Sequence, residues 1–243
     1  MTTDIVIVGV GGMGREVFRV ICLINRAASP GEPRWRVLGF VDDYPTEPDL
    51  VLVHRLGAPF LGPTRRLSGL PSATRVALGV GRPRLRRETA DAIAHYGLPA
   101  ATVIHPDAEI GADCVVGEGL FAAGGARVTT NVVLGRHVHL NQNCTVGHDA
   151  VLGDYVSVNP LAAVSGHCRL AEGVLVGTTA AVLPRLAVGR DAVVGAGACV
   201  TRDVPAGVVV TGVPARPAPP SAPDARPVVM AAHGRQDEVD HPA

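Results

Sequence analysis

The chain has 243 residues, enough for one large or two modest domains with a buried core. Its 22 Lys and Arg balance 22 Asp and Glu, so no net field points to nucleic acid or to an anionic membrane surface. No apolar run approaches a membrane span, and the chain enters "DIVIVG" without a basic leader, so a cytoplasmic protein is expected.

The first elements are a buried strand, a glycine turn and an amphipathic helix, "DIVIVGVGGMGREVFRVICLI". Gly9, Gly11 and Gly14 have the G-x-G-x-x-G spacing that presents backbone N–H groups to a phosphate at a helix N-terminus. A second strand, "RVLGFVDD", ends in Asp42 and Asp43, and a third, "RVALGVG", ends in Gly79 and Gly81. A basic helix, "RPRLRRETADAIAHYG", follows. This alternation over residues 1–102 predicts a small α/β half-Rossmann domain with a parallel sheet of three or four strands. A dinucleotide dehydrogenase is disfavoured, because the domain stops after one half-fold. The glycines could also serve only tight strand–helix packing.

From Val103 to Val204 the pattern changes to a period of six. One phase runs Ile104, Ile110, Val116, Ala122, Val128, Leu134 and onward to Val200, and sixteen of its seventeen members are Val, Ile or Leu. Four residues on, the positions are mostly small or β-branched, and one residue after the aliphatic position glycine recurs, as at 111, 117, 135, 147 and 153. Gly or Asn is expected to take up the unusual dihedrals at the turn. Three such units close a triangle of eighteen residues, and parallel coils about 4.8 Å apart give a prism about 27 Å tall. A narrow core suits the 3% aromatic content. Five cysteines (22, 114, 144, 168 and 199) include no C-x-x-C pair and read as reduced, buried thiols.

Within this prism lies "CTVGHDAVLGDYVSVNP", where His148 and Asp149 stand beside each other at a corner. Such a pair can be a solvated turn, or a base and its electrostatic helper: a neutral imidazole accepts a proton near pH 7, and a carboxylate stabilises the imidazolium formed. Eighteen residues on, one coil up, Gly166 leaves room above His148 and an amide for an oxyanion. His137, His139, His148 and His167 could be metal candidates, but no His-x4-His pair is present and no metal is expected.

The hexad segment resembles the hexapeptide-repeat acyltransferases, which implies a left-handed parallel β-helix. The whole chain to Arg216, with its "G-x-G-G-x-G" turn, "DD" strand end, prism and closing "VVVTGVPARP", is similar to the sialic-acid O-acetyltransferase/bacillosamine N-acetyltransferase family. The resemblance implies an acyl-CoA-dependent enzyme, acetyl-CoA in the first instance, acting on an amino or hydroxyl group of a nucleotide-linked sugar, with no acyl-enzyme. It implies a homotrimer, with His148 and Asp149 as the catalytic couple. Ser157 stands where the family has His and would reach the thioester carbonyl, while Thr178 and Ala196 would line the pantetheine arm. Gly12, Met13 and Gly14 would line the acceptor phosphates, Asp42 and Asp43 the base or ribose, and Gly79 the sugar side. Family members often have His at the position of Met13, and Met donates no hydrogen bond. The alternatives are a non-nucleotide acceptor (aminocyclitol, amino acid or antibiotic sugar) and, from a different class, a silent sugar-nucleotide-binding scaffold. The expected division is 1–102 acceptor domain, 103–216 β-helix, and a Pro- and Ala-rich disordered tail from 217 to 243.

Overall fold

The computed structural model describes residues 2–28 and 35–218. Of the tail expected to be disordered from 217, Pro217 and Ala218 belong to the fold, Pro217 pairing with Val210 and Ala218 N–H donating to the Val209 carbonyl (2.8 Å); from residue 219 on it lies outside the described residues. The N-terminal unit begins with β1 (Thr3–Val8), α1 (Gly12–Ala27) and β2 (Trp35–Val41). It continues with α2 (Glu47–Arg55), β3 (Phe60–Gly62), β4 (Arg75–Leu78) and α3 (Pro83–Ile93). The sheet has four strands in the order β3-β2-β1-β4, and every pairing is parallel. Ile5, Ile7, Phe40 and Ala77 from its strands pack with Val17, Val20, Ile21 and Ile24, the apolar stripe of α1.

The prism has three faces. Its first face stacks Val103–Ile104, Phe121–Ala122, His139–Leu140, Ser157–Val158, Leu175–Val176 and Val193–Val194. The second stacks Glu109–Ile110 through Cys199–Val200, and the third Val115–Val116 through Ala187–Val188. Thr145 pairs with Ala163 and Val146 with Val164, so each coil advances eighteen residues. The inward residues from Ala122 to Val200 are buried, together with the small residues at the second phase, such as Cys144, Ala150 and Ala162. The eighteen-residue register ends at Val200 rather than Val204. Val204 bridges Val188 and Val209 pairs with Val193, each sixteen residues away, because the chain cuts the last corner short.

The corners revise the role expected of the recurring glycines. Gly147 and its equivalents do not have positive φ; a Cβ on Gly147 would lie 2.6 Å from the Gly166 nitrogen of the next coil. Close stacking of coils is what excludes a side chain there. The left-handed residue falls two positions later, at Asn131 (φ 57°), Asp149 (φ 60°) and His167 (φ 61°).

The N-terminal unit packs against the first face. Ala101, Val103, Phe121 and Ala123 belong to the same apolar cluster as β1 and α1. The contact is fixed by Arg86 on α3, which is 0% exposed. Its guanidinium donates to the carbonyls of Val80 (2.9 Å), Gly81 (2.9 Å), His137 (3.0 Å) and Tyr155 (2.7 Å), and to Ser157 Oγ (2.9 Å). Burial pushes its pKa down to about 9. Arg87 adds ion pairs to Glu172 (2.9 Å) and Asp191 (3.0 Å) across the same junction. No helix of the described residues is long and apolar enough to cross a membrane.

Candidate active site

His148 lies at the corner between the second and third faces, two residues after inward Val146. The left-handed backbone of Asp149 turns its side chain back towards its neighbour. His148 Nδ1 lies 2.6 Å from Asp149 Oδ2, and the two side chains are 55% and 37% exposed. The hydrogen bond from His148 holds the Asp149 carboxyl below the usual carboxylate range. A carboxylate accepts, so Nδ1 carries the proton and Nε2 of the neutral ring is left as an acceptor. That nitrogen faces Gly166, where an added Cβ would sit only 2.7 Å from it. His167 joins from the coil above, its Nε2 3.5 Å from Asp149 Oδ2 and its ring edge-on to His148. Of the four histidines weighed as metal ligands, the structure brings together these two. Among the described residues, His148, Asp149 and His167 place ligand atoms within 4.8 Å of one another.

The acceptor candidates form a second locus. An open cleft of about 530 Å³ lies between the glycine turn and the first face. Gly12, Met13, Asp42 and Gly79 line it, as do Gly9, Gly11, Val80 and Gly81. The helices α1 and α3 both begin here without a side-chain cap, at Gly11 and Arg82. Free N–H groups and the positive end of a helix favour an anion. Arg82 lines the same cleft, is exposed and forms no ion pair among the described residues. Asp42 braces the turn, accepting from Val10 N–H through Oδ2 (3.0 Å) and from Tyr44 N–H through Oδ1 (2.8 Å).

Several expectations need correction. Gly14 does not line the cleft: it is buried, and a Cβ there would lie 1.9 Å from the Gly9 carbonyl oxygen. It lets α1 lie against the strand turn. Gly79 shares this packing, since its Cβ would lie 2.4 Å from Gly14 Cα. Asp43 points to a neighbouring hollow, where its carboxylate holds the N–H (2.9 Å) and hydroxyl (2.7 Å) of Thr64. Ser157 is 1% exposed, accepts from Arg86 and turns its own hydroxyl to the Gly81 carbonyl (3.5 Å), so burial and these partners keep it from a thioester carbonyl. It lies on the face that the N-terminal unit covers. Thr178 and Ala196 keep their expected exposure, one above the other at the corner between the first and second faces, which on one chain is not the corner of His148. Sequence reasoning missed Arg82, Arg86, Asn141 and Asn159. Of these, only Arg82 had a visible signal, directly after the glycines of the third strand.

The comparisons bear on both loci. Residues 4–93 match the family described as the PglD N-terminal domain. No curated protein matches the sequence. Among solved structures, the chain is similar to the acetyltransferase domain of PglB from Neisseria gonorrhoeae, with 30% identity and a TM-score of 0.77. That match covers 88% of this chain and 99% of the other. It is also similar to a variant of perosamine N-acetyltransferase from Caulobacter crescentus in complex with CoA and GDP-perosamine, at 29% identity and a TM-score of 0.78. That match covers 89% and 97% of the two chains. WeeI from Acinetobacter baumannii is similar at 26% identity and a TM-score of 0.75, over 90% and 100%. With an N-terminal domain of the PglD type and a left-handed β-helix matched along nearly its whole length, the chain belongs to the hexapeptide-repeat sugar acetyltransferases of the PglD/bacillosamine family, enzymes that depend on coenzyme A.

Proposed function

We propose that the chain transfers an acetyl group from acetyl-CoA to the amino group of a nucleotide-linked sugar, with His148 as general base. The observation that carries this reading is the short Nδ1 contact to Asp149, which leaves His148 Nε2 open towards Gly166. As the amine nitrogen attacks the thioester carbonyl, the C–N bond forms and Nε2 takes the proton. The C–S bond then breaks, and the proton passes from His148 to the departing thiolate. Asp149 stays ionised and stabilises the imidazolium. Nothing in this sequence of steps calls for an acyl-enzyme, because the thioester is already activated. An amine acceptor is supported by the N-acetyltransferase among the similar structures, which was crystallised with GDP-perosamine.

The nucleotide-linked acceptor is supported by the cleft. Two uncapped helix starts and Arg82 offer donors and positive charge for a diphosphate without the Met13 side chain, which has no donor to give. The cleft faces the first side of the prism, while His148 stands at the corner opposite that side. Base and cleft of one chain therefore look in different directions. This favours a homotrimer in which a second copy brings its cleft to the His148 corner, with residues 1–102 as acceptor domain and 103–216 as acyl-transfer domain. Exposed Thr178 and Ala196, on the cleft side, would then meet the pantetheine arm between copies.

The test is thiol release from acetyl-CoA across a panel of nucleotide-linked and free amino sugars. Turnover of a conjugate, falling 10²–10⁴-fold in His148→Ala with acetyl-CoA affinity kept, is expected. Equal turnover of the free sugar would remove the nucleotide from the reading, and near-normal turnover by His148→Ala would remove the base.

A further inference from the structure

The prism wall of the cleft contains a buried imidazole that the mechanism above does not use. His139 stands on the first face in register between Phe121 and Ser157. It is 2% exposed, its ring lies 5.4 Å from that of Phe121, and it borders the acceptor cleft. Its Nδ1 has no hydrogen-bond partner among the described residues. Buried polar atoms are almost always paired, and one left alone is destabilising. Beside it, Asn141 Nδ2 donates to the Val158 carbonyl (3.1 Å) and to Asn159 Oδ1 (3.3 Å), so the two amides are tied to each other. His139 Nδ1 has no such bond.

Its charge state narrows what it could bind. Burial, with the Arg86 cation next, holds its pKa well below the usual imidazole value, so the ring is neutral. A neutral imidazole offers one donor and one acceptor. Phosphate oxygens at neutral pH mainly accept, and the helix starts and Arg82 already serve them. A hydroxyl both donates and accepts, and so matches the ring in either tautomer.

We propose that His139 is a specificity-determining residue of the acceptor cleft, hydrogen-bonding a hydroxyl of the acceptor's sugar ring. The inference rests on the reading of this cleft as the acceptor site and adds the chemical group recognised there.

The experiment measures both KM values of the full-length enzyme with His139 and with His139→Phe. The probes are GDP-perosamine and UDP- and dTDP-linked 4-amino-4,6-dideoxyhexoses, with the free nucleoside diphosphates titrated calorimetrically. For the conjugate that the enzyme uses, the Phe variant should raise acceptor KM about tenfold, as expected for about 1.4 kcal/mol of lost binding. The KM for acetyl-CoA and the affinity for the free diphosphate should not move. Melting should not fall, because an apolar ring removes the unpaired nitrogen. A merely structural histidine would lower the melting temperature and leave acceptor KM alone. Should the Phe variant not melt cooperatively, His139→Leu is read by the same criteria. An unchanged acceptor KM in a folded variant would overturn the role of His139 while leaving the cleft reading intact. Failure of the wild-type enzyme to use or bind any conjugate would overturn the cleft reading and the inference with it.

Discussion

Gly166→Ala separates the chemistry of the base from the stability of the fold. The new methyl carbon would lie 2.7 Å from His148 Nε2 and 2.8 Å from Cε1. Ordinary contact between such atoms is about 3.5 Å or more, so an overlap of about 0.8 Å must be relieved. Nothing in the backbone opposes the alanine, since Gly166 is not in the left-handed region. The imidazole is the group that yields, because its side chain is half exposed. Rotating it away breaks the contact with Asp149; keeping it in place leaves the methyl where the acceptor's proton must arrive. Either way the base is lost, and kcat should fall about 10²–10⁴-fold, or about 3–5 kcal/mol in the barrier. Stability should change little, because alanine also restricts the unfolded chain. Gly147→Ala provides the contrast. Its Cβ would meet the backbone of Ser165 and Gly166 at 2.8 and 2.6 Å, atoms that cannot move aside without opening the coil. That variant should lose its cooperative melt. Thiol release gives the rates and circular dichroism the melts. If Gly166→Ala works through His148, adding His148→Ala should cost nothing more. Full kcat in Gly166→Ala, or additive losses in the double variant, would refute the assignment of Nε2 as the base.

Val146→Asp should abolish folding, because an inward carboxylate at a fully buried position has no partner and costs several kcal/mol; a soluble, cooperatively melting variant would place the wrong face inside. Asp42→Ala should raise acceptor KM, tenfold for each 1.4 kcal/mol of binding lost, while acetyl-CoA KM holds; equal shifts in both would assign Asp42 to the fold. Stability should also depend on acid through His139. Its folded pKa lies below the unfolded value of 6.5, so as pH falls through 6.5 the unfolded chain takes up the proton first and stability is lost. Each pH unit below that value should cost the wild type about 1.4 kcal/mol more than His139→Phe, measured by urea unfolding at pH 7.5 and 5.5. Parallel losses in the two proteins would show that His139 is charged when folded.

The prism was legible because its core repeats. A side chain inward every six residues leaves a phase that survives any sequence, and counting eighteen from His148 reaches Gly166 without a structure. The faces are not equally legible, because the repeat is blind to what covers each one. Ser157 and His139 occupy the same outward phase as Thr145 and Arg127, which remain accessible, yet the first two are buried. What differs is the unit docked on the first face through Arg86, a contact between residues about seventy apart that carries no periodic signal. The resemblance that put Ser157 on the thioester carbonyl is equally silent about what covers that face. In the N-terminal unit the glycine spacing located the turn, but could not tell Gly12, whose environment is open, from Gly14, pressed on Gly9. Spacing fixes where the chain bends and leaves open which glycine faces the ligand.

The site itself is written in vertical columns rather than in a linear motif. Thr130, His148 and Gly166 form one column, eighteen residues apart, and Asn131, Asp149 and His167 form the next. Asp149 N–H donates to the Thr130 carbonyl below (3.1 Å), and His167 N–H to the His148 carbonyl from above (2.8 Å). Asn131 Nδ2 approaches Asp149 Oδ1 at 3.5 Å, while His167 approaches Oδ2 from the other side. The second column is left-handed at all three levels. Its side chains therefore leave the coil in one direction and stack around a single carboxylate. This explains how a pair on a solvated corner, with no surrounding core, can hold the fixed geometry that the proposed proton transfer demands. The backbone ladder positions the couple from above and below, and the outward side chains are left to the chemistry.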